Sequence, residues 1–292
     1  MLTSTNPVAQ GHAPFAGTCG SFCCLPATSR HPLVFASFRY NDKVKIIIDT
    51  AGRSLTTVDG GVQRTCELYS REAFETVSLE WVKMGWSLSY YHTFTWMGQP
   101  ILQLPEDLIR LQEAVYRVRP DVIVETGVFH GGSLMFHATL CQALGKGRVI
   151  GIDNVIQAGV REAITQHVLA PHITLVEGDS ASREVVGAVA GMIRPGESVL
   201  VILDSCHTKD HVRKELECYS RFVTPGSYII AADGIMRDLA DVPRGQPEWV
   251  TDNPLAAADE FAARHPEFSR EHPAELSAKV TYWPGAWFRR VA

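Results

Sequence analysis

The amino-acid sequence predicts an α/β fold, in which a doubly wound, mostly parallel sheet carries an N-terminal accessory region. From about residue 105 onward, short apolar runs rich in Val and Ile alternate with longer segments of helical periodicity. This alternation is typical of βαβ units. The runs show little polar alternation, which indicates strands that are buried on both faces.

The composition is that of a globular protein: of 292 residues, 46% are hydrophobic and 20% are charged. The net charge of −5, without a Lys/Arg cluster, argues against a nucleic-acid partner. No apolar run approaches the length of a membrane span, and we expect no membrane partner and no signal peptide. Cys19, Cys23 and Cys24 lack a second pair for zinc, so we expect reduced thiols in a cytoplasmic protein.

Three segments are predicted along the chain. Residues 1–38 are rich in Pro, Ser, Thr, Gly and Ala, which favours a disordered or loosely attached arm. Residues 39–104 form the accessory region, where KVKIIIDTAGRSLTTVDGG predicts a hairpin. Ser70 then caps a predicted helix, along which apolar residues recur at helical spacing: Phe74, Val77, Trp81 and Met84.

Residues 105–292 carry the sheet. The predicted strands are DVIVET, RVIGID, ITLVEGD, SVLVILD and SYIIAAD. The predicted helices that cover them are PEDLIRLQEAVYRV, GGSLMFHATLCQAL, GVREAITQHVL, ASREVVGAVAGMI and TKDHVRKELECYSRFV. After a further helix, NPLAAADEFAARHPEF, the segment KVTYWPGAWFRR predicts a strand broken by Pro284-Gly285 that adds an antiparallel pair at the sheet edge.

An acid lies at or near the end of each of the five strands: Glu125, Asp153, Asp179, Asp204 and Asp233. One such acid would be an ordinary helix cap or turn residue. In open α/β sheets, however, ligands bind outside the carboxyl ends of the strands. Five acids at these ends therefore favour a ligand site.

The segment ETGVFHGGS follows the first of these strands. It lacks the G-x-G-x-x-G pattern that a nicotinamide-dependent oxidoreductase, one alternative function, would need for pyrophosphate. The glycines would permit a sharp turn and a close approach of ligand to the helix start. Beside an acid, this turn suits a ligand with a carboxylate and an amine, such as S-adenosylmethionine. We assign to this cofactor Glu125, Gly127, Gly131, Gly132 and Ser133.

Two further strand ends belong to the predicted cofactor site. Asp153 is placed to accept hydrogen bonds from ribose hydroxyls. Asp179 and Ser180 end the third strand, on the adenine side. They either face the cofactor or serve the next helix, with Ser180 as its cap, and both interpretations stay open.

Asp204 and Asp233 end neighbouring strands and predict a Mg²⁺ site, with Asp204 also bordering the cofactor. His207 would act as a general base on a substrate hydroxyl, or else cap or pack at the helix start. His207 and His211 have the i, i+4 spacing of zinc ligands, but no third ligand completes that pattern. An aromatic segment before the sheet either packs in the core or roofs the pocket: Tyr90, Tyr91, His92, Trp96 and Met97.

DVIVETGVFHGGSLMF, GRVIGID, VLVILDSCHTKDHVRKELECYSRFVTPGSYIIAADG and the C-terminal WPGAWFRR resemble the cephalosporin hydroxylase / rhamnosyl O-methyltransferase family. These are Rossmann-like class I methyltransferases that use S-adenosylmethionine, several with Mg²⁺. The likeness covers about residues 90–290, and D-S-x-H is its most specific part. It implies that Asp204 and Asp233 bind metal and that His207 is the base. Many relatives carry two adjacent acids where this chain has Ala232-Asp233, which implies a weaker or dispensable metal.

The predicted function is therefore O-methyl transfer from S-adenosylmethionine to a hydroxyl of a sugar or a glycosylated natural product. Mg²⁺ would assist, and His207 would take the proton. We expect a homo-oligomer acting on a small-molecule acceptor. A non-catalytic, nucleoside-binding partner of a biosynthetic enzyme is the second alternative.

Overall fold

The structure is a computed structural model that describes residues 44–271 and 279–292. The predicted arm, residues 1–38, and its cysteines lie outside the described residues. Among the described helices, none has both the length and the apolar character needed to cross a bilayer.

The N-terminal part is a three-stranded antiparallel sheet of β1 (Lys45–Asp49), β2 (Ser54–Asp59) and β3 (Val62–Glu67). The structure thus has one strand more than the predicted hairpin. Gly60 and Gly61, with φ of 53° and 81°, form the two-residue turn between β2 and β3. The missed strand, VQRTCE, is mostly exposed and carries few apolar side chains, so its sequence gives a weak strand signal.

Helix α1 (Arg71–Ser87) begins as predicted, because the side chain of Ser70 accepts a hydrogen bond from the amide of Ala73. A helical apolar stripe ordinarily marks the buried face. Here Ala73, Ser78 and Val82 are the buried residues of the helix. The predicted stripe is instead on the exposed side: Phe74, Val77, Trp81 and Met84.

Two-residue strands β4 (Thr95–Trp96) and β5 (Gln99–Pro100) pair before helix α2 (Pro105–Val118). Ile101, which follows β5, packs in the same apolar cluster as Val82 of α1 and Ile123 of the main sheet. The boundary between residues 104 and 105 stays a prediction.

The predicted parallel strands are all present, as β6 (Val122–Thr126), β7 (Arg148–Asp153), β8 (Ile173–Glu177), β9 (Val199–Leu203) and β10 (Tyr228–Ala231). The helices between them are α3 (Gly132–Leu144), α4 (Ala158–Thr165), α5 (Arg183–Met192) and α6 (Lys209–Tyr219). Short 3-10 helices span Tyr90–Thr93, Ala170–His172, Ser220–Phe222, Gly234–Leu239 and Pro247–Val250.

The main sheet has seven strands. After α7 (Pro254–Arg264), strands β11 (Phe268–Glu271) and β12 (Trp287–Arg290) complete it in the order β11-β12-β10-β9-β6-β7-β8. Strand β12 is antiparallel to both β10 and β11, which confirms the predicted antiparallel pair at the edge. The observed strand β12 is shorter than the predicted KVTYWPGAWFRR, since it begins only after Pro284-Gly285.

The sheet is buried on both faces at its centre, where every residue of β6, β9 and β10 is buried. Ile123 packs in one apolar cluster, whereas Val122 and Val124 pack in the other. Strand β6 has β7 on one side and β9 on the other, so the strand order reverses at β6. The carboxyl ends of β6 and β9 therefore border the crevice where an α/β sheet binds ligands.

Candidate active site

The backbone brings the predicted strand-end residues into register. The amide of Asp204 donates to the carbonyl of Thr126 at 2.9 Å, and the amide of Ala232 donates to the carbonyl of Leu203 at 2.9 Å. Asp204 thus lies beside the end of β6, and Ala232 lies one strand further on. Because side chains alternate along strands and Leu203 pairs with Ala231, Asp204 and Ala232 point to the same face of the sheet.

Three of the predicted residues meet at this edge. Asp204, His207 and Asp233 offer ligand atoms that all lie within 4.8 Å of one another. Nε2 of His207 is 3.5 Å from Oδ2 of Asp233, and both side chains are about one-third exposed. The cluster is therefore open to a ligand on one side.

Helix α6 does not depend on His207 for its start. Thr208 is the N-cap, and its hydroxyl accepts a hydrogen bond from the amide of His211. The alternative in which His207 caps the helix is wrong. Its imidazole faces Asp233 instead.

Asp233 has a left-handed backbone, with φ of 57°. A residue with a side chain rarely adopts this conformation, although Asp tolerates it better than most. The chain is constrained next to it, because a Cβ at Gly234 would lie 2.8 Å from the carbonyl oxygen of Pro284. Strained backbone of this kind concentrates at functional sites, where the surrounding structure holds it in place.

The carboxylates of the cluster resist ionisation together. Burial raises the pKa of Asp204 well above its ordinary value, and the charges of Asp233 and Glu125 raise it further, while a hydrogen bond from Gln103 lowers it. Burial also raises the pKa of Asp233, which His207 lowers. A bound cation would relieve this repulsion, and oxygen donors are the ligands that Mg²⁺ prefers.

Glu125 lies beneath the cluster and is fully buried. Its carboxylate has no hydrogen-bond partner among the described residues, and Oε2 is 3.6 Å from Nε2 of His137 in α3. His137 is also fully buried, and both its ring nitrogens lack hydrogen-bond partners within the same ranges. The sequence carries one signal for this pair, a single His within the apolar stretch LMFHATL.

Asp153 supports the turn that follows β6. Its Oδ2 accepts hydrogen bonds from the amides of Val128 and Phe129 at 2.8 and 3.0 Å, and its Oδ1 accepts a longer one from Val155. The carboxylate is half-buried at the mouth of the crevice. It therefore fixes the turn, and its contact with a ribose stays a prediction.

The predicted sharp turn is present, with φ of 95° at Gly127 and 82° at Gly131, and the glycines also meet a second constraint. A Cβ at Gly127 would lie 1.9 Å from the carbonyl oxygen of Asp204. A Cβ at Gly131 would meet the side chain of Ile164, and one at Gly132 would meet the backbone at Pro100. Close packing against protein therefore also favours glycine at all three positions, and the close approach of a ligand stays a prediction. Ser133 is half-buried in the first turn of α3, and its role stays a prediction.

The end of β8 also differs from the expectation. Ser182, not Ser180, is the N-cap of α5. Ser180 is buried, where its hydroxyl donates to Glu215 at 2.6 Å and lies 3.1 Å from Nε2 of His211. The Ser180 hydroxyl therefore faces the protein interior, and its assignment to the cofactor stays a prediction. Asp179 is exposed and accepts a hydrogen bond from the amide of Ala181.

Two aromatic side chains of the segment before the sheet, Tyr91 and Trp96, pack against the apolar core, and a roof over the pocket stays a prediction. Trp96 packs edge-on against Phe136, and its indole donates to Thr139, so it belongs to the core. Tyr91 contacts Tyr282 edge-on, with ring centroids 5.9 Å apart. The carbonyl of Tyr282 accepts a hydrogen bond from the amide of Ile235, which lies two residues after Asp233.

Comparison with known proteins agrees with these observations. The family model described as Rhamnosyl O-methyltransferase/CmcI matches residues 88–291. A rhamnosyl O-methyltransferase of Mycobacterium leprae (strain TN) is 27% identical over 177 residues, covering 58% of this chain and 73% of the relative. Its counterpart in Mycobacterium bovis (strain BCG / Pasteur 1173P2) is 24% identical over 191 residues, covering 62% and 76%.

Among solved structures, cmcI with Mg and SAM is 23% identical and covers 69% of this chain and 78% of that chain, with a TM-score of 0.47. The resemblance found in the sequence is confirmed by the family model, which spans well over half of the chain. The protein therefore belongs to the Rhamnosyl O-methyltransferase/CmcI family and is an S-adenosylmethionine-dependent O-methyltransferase.

Proposed function

We propose that the protein methylates a hydroxyl of a sugar or a glycosylated natural product, with Mg²⁺ at Asp204 and Asp233 and with His207 as the general base. The observation that carries this proposal is the convergence of Asp204, His207 and Asp233 at the carboxyl ends of β9 and β10. The curated relatives are rhamnosyl O-methyltransferases, which supports a sugar hydroxyl as the acceptor.

The donor set fits a hard divalent cation. Two half-buried carboxylates are close together, and the pKa of each is raised because burial and, for Asp204, neighbouring acids disfavour its ionisation. Mg²⁺ needs only one or two protein carboxylates and keeps several waters. When bound, it would supply Lewis-acid polarisation of the acceptor hydroxyl.

His207 would receive the proton of that hydroxyl as the acceptor oxygen bonds to the methyl carbon and the sulfur leaves. Oδ2 of Asp233, 3.5 Å from Nε2, would stabilise the resulting imidazolium. A positioned base of this kind contributes about 10²–10⁴ in rate. Alignment of donor and acceptor, which the rigid sheet provides, can contribute roughly 7–11 kcal/mol.

The cofactor would lie over the ends of β6 and β7. Glu125 is a buried carboxylate without a hydrogen-bond partner among the described residues, which suits a cationic group nearby. Asp153 would hold the ribose beside the turn that it supports. Mass spectrometry of methyl transfer to rhamnosyl glycosides tests the proposal. If none of a panel of sugar-bearing acceptors is methylated although the cofactor binds, the acceptor does not belong to this class.

We expect Asp153→Ala to weaken the binding of S-adenosylhomocysteine by tenfold or more, about 1.4 kcal/mol. The variant loses both the ribose contact and the acceptor that holds the amides of Val128 and Phe129. Titration calorimetry measures the affinity, with Asp59→Ala, an exposed residue of β2, as the control. Unchanged affinity in Asp153→Ala would remove this residue from the cofactor site.

We expect Ala232→Glu to tighten the affinity for Mn²⁺, used as a probe for Mg²⁺, by about tenfold. Ala232 is buried on the same face as Asp204, so a longer acidic side chain there adds an oxygen donor and a negative charge. Ala232→Gln has the same length without the charge and should give a smaller gain. Equal affinities in all three proteins would place the cation elsewhere.

A further inference from the structure

Gln103 makes a contact with the candidate site that spans 101 residues of sequence. Its Nε2 donates to Oδ2 of Asp204 at 3.1 Å. This is the one side-chain hydrogen bond that Asp204 makes within residues 44–271 and 279–292. The side chain of Gln103 is 5% exposed, so the amide is essentially removed from solvent.

The backbone that carries Gln103 is fixed on both sides. Ile101 and Leu104, its near neighbours, are buried in the apolar cluster that contains α3. The preceding Pro100 lies so close to the start of α3 that a Cβ at Gly132 would overlap its carbonyl. Pro105 then begins α2. Gln103 therefore reaches Asp204 from a rigid segment.

A purely structural amide would be expected to satisfy both its ends, because a buried polar atom without a partner costs about 1–3 kcal/mol. Oε1 of Gln103 has no hydrogen-bond partner among the described residues. The fold thus tolerates an unpaired carbonyl to keep the amide nitrogen on Asp204. This cost points to a role for the contact itself.

The electrostatics agree with such a role. A neutral donor favours the charged carboxylate without adding a positive charge that would repel a cation. The contact occupies Oδ2 and leaves Oδ1 without a side-chain hydrogen bond from the described residues.

We propose that Gln103 is a positioning residue of the cation site, which orients the carboxylate of Asp204 and keeps it ready to bind a divalent metal. This inference rests on the proposed function, because it requires a cation at Asp204. Groups that orient metal ligands typically change metal affinity by about 10–100-fold when removed.

The test is a titration of the full chain with Mn²⁺ alone, in which electron paramagnetic resonance measures the free ion. Gln103→Leu and Gln103→Met both remove the donor and keep much of the volume, so either variant that folds decides the question. Gln99→Leu, the same change in half-buried β5 of the same segment, is the matched control. Melting temperature and S-adenosylhomocysteine affinity are measured in parallel.

We expect either Gln103 variant to bind Mn²⁺ about 10–100-fold more weakly, with S-adenosylhomocysteine affinity unchanged and with Gln99→Leu like the wild type. The Mg²⁺ concentration for half-maximal activity should rise by the same factor. Wild-type Mn²⁺ affinity in both Gln103 variants would overturn the inference and leave the proposed metal in place. A wild-type protein that binds no Mn²⁺ would overturn the proposed metal site and this inference with it.

Discussion

Replacement of His207 by alanine is expected to lower turnover by about 10²–10⁴-fold and to leave the affinity for S-adenosylhomocysteine unchanged. The imidazole lies 3.5 Å from Asp233, whereas the predicted cofactor contacts, apart from Asp204, lie at or after the ends of β6, β7 and β8. Removing it takes away the proton acceptor and no cofactor contact. Turnover is measured as methyl transfer to a sugar-bearing acceptor, and the affinity for S-adenosylhomocysteine is measured by calorimetry.

A second histidine variant separates the loss of the base at this site from the loss of an imidazole elsewhere in the protein. His172→Ala changes a half-buried His before β8, at the opposite edge of the sheet, and should behave like the wild type. Near wild-type turnover in His207→Ala would assign the proton transfer to another group.

The central sheet was predictable because its strands are apolar runs that periodicity alone can identify. All five parallel strands occur where DVIVET, RVIGID, ITLVEGD, SVLVILD and SYIIAAD predict them. Strand β3 was missed because an exposed strand has no buried face to create a pattern. The exposed stripe of α1 shows a related limit. Periodicity identifies a helix and its apolar face, but it does not say whether other residues cover that face.

The site was predictable only as far as strand ends can be read from sequence. Because all parallel strands end at one edge, the acids at these ends share an edge once the fold class is known. Which of them meet depends on strand order, and β9 lies next to β6 and β10. That order brings Asp204 to Asp233 and leaves Asp179 on the far strand β8.

The residues that support the site were missed because their contacts are distant in sequence. Gln103 reaches Asp204 across 101 residues, and no local pattern marks it. Tyr282 is held between two distant segments, because its amide donates to buried Asp107 of α2 and its carbonyl accepts from the amide of Ile235, near Asp233. The sequence showed the glycines of ETGVFHGGS, but it did not show what they pack against, because Ile164 and Pro100 belong to other parts of the chain.

The second large effect is expected for Asp204→Asn, which keeps the shape of the side chain and removes its charge. Activity should fall by roughly 10²-fold or more, since cation assistance is worth several kcal/mol. Added Mg²⁺ should no longer stimulate the remaining activity. Mn²⁺ titration should show the loss of binding directly. Asp59→Asn, at an exposed position of β2, is the control.

The same variant should be more stable than the wild type when chelator removes all cations. Burial first, and then Asp233 and Glu125, hold the pKa of Asp204 well above its ordinary value in the folded protein. The folded state therefore binds this proton more tightly than the unfolded chain does, and ionisation of Asp204 destabilises the fold. At neutral pH, Asp204→Asn removes that cost and should raise the melting temperature.

The difference in melting temperature between Asp204→Asn and the wild type depends on pH and on the cation. As the pH falls through the raised pKa, Asp204 of the wild type becomes neutral as well, and the gain in melting temperature should disappear. At neutral pH, saturating Mg²⁺ should raise the melting temperature of the wild type, because it binds only the folded state, and should not change that of the variant. A variant that is less stable in chelator at neutral pH, or that responds to Mg²⁺ like the wild type, would show that Asp204 serves the fold and not a cation.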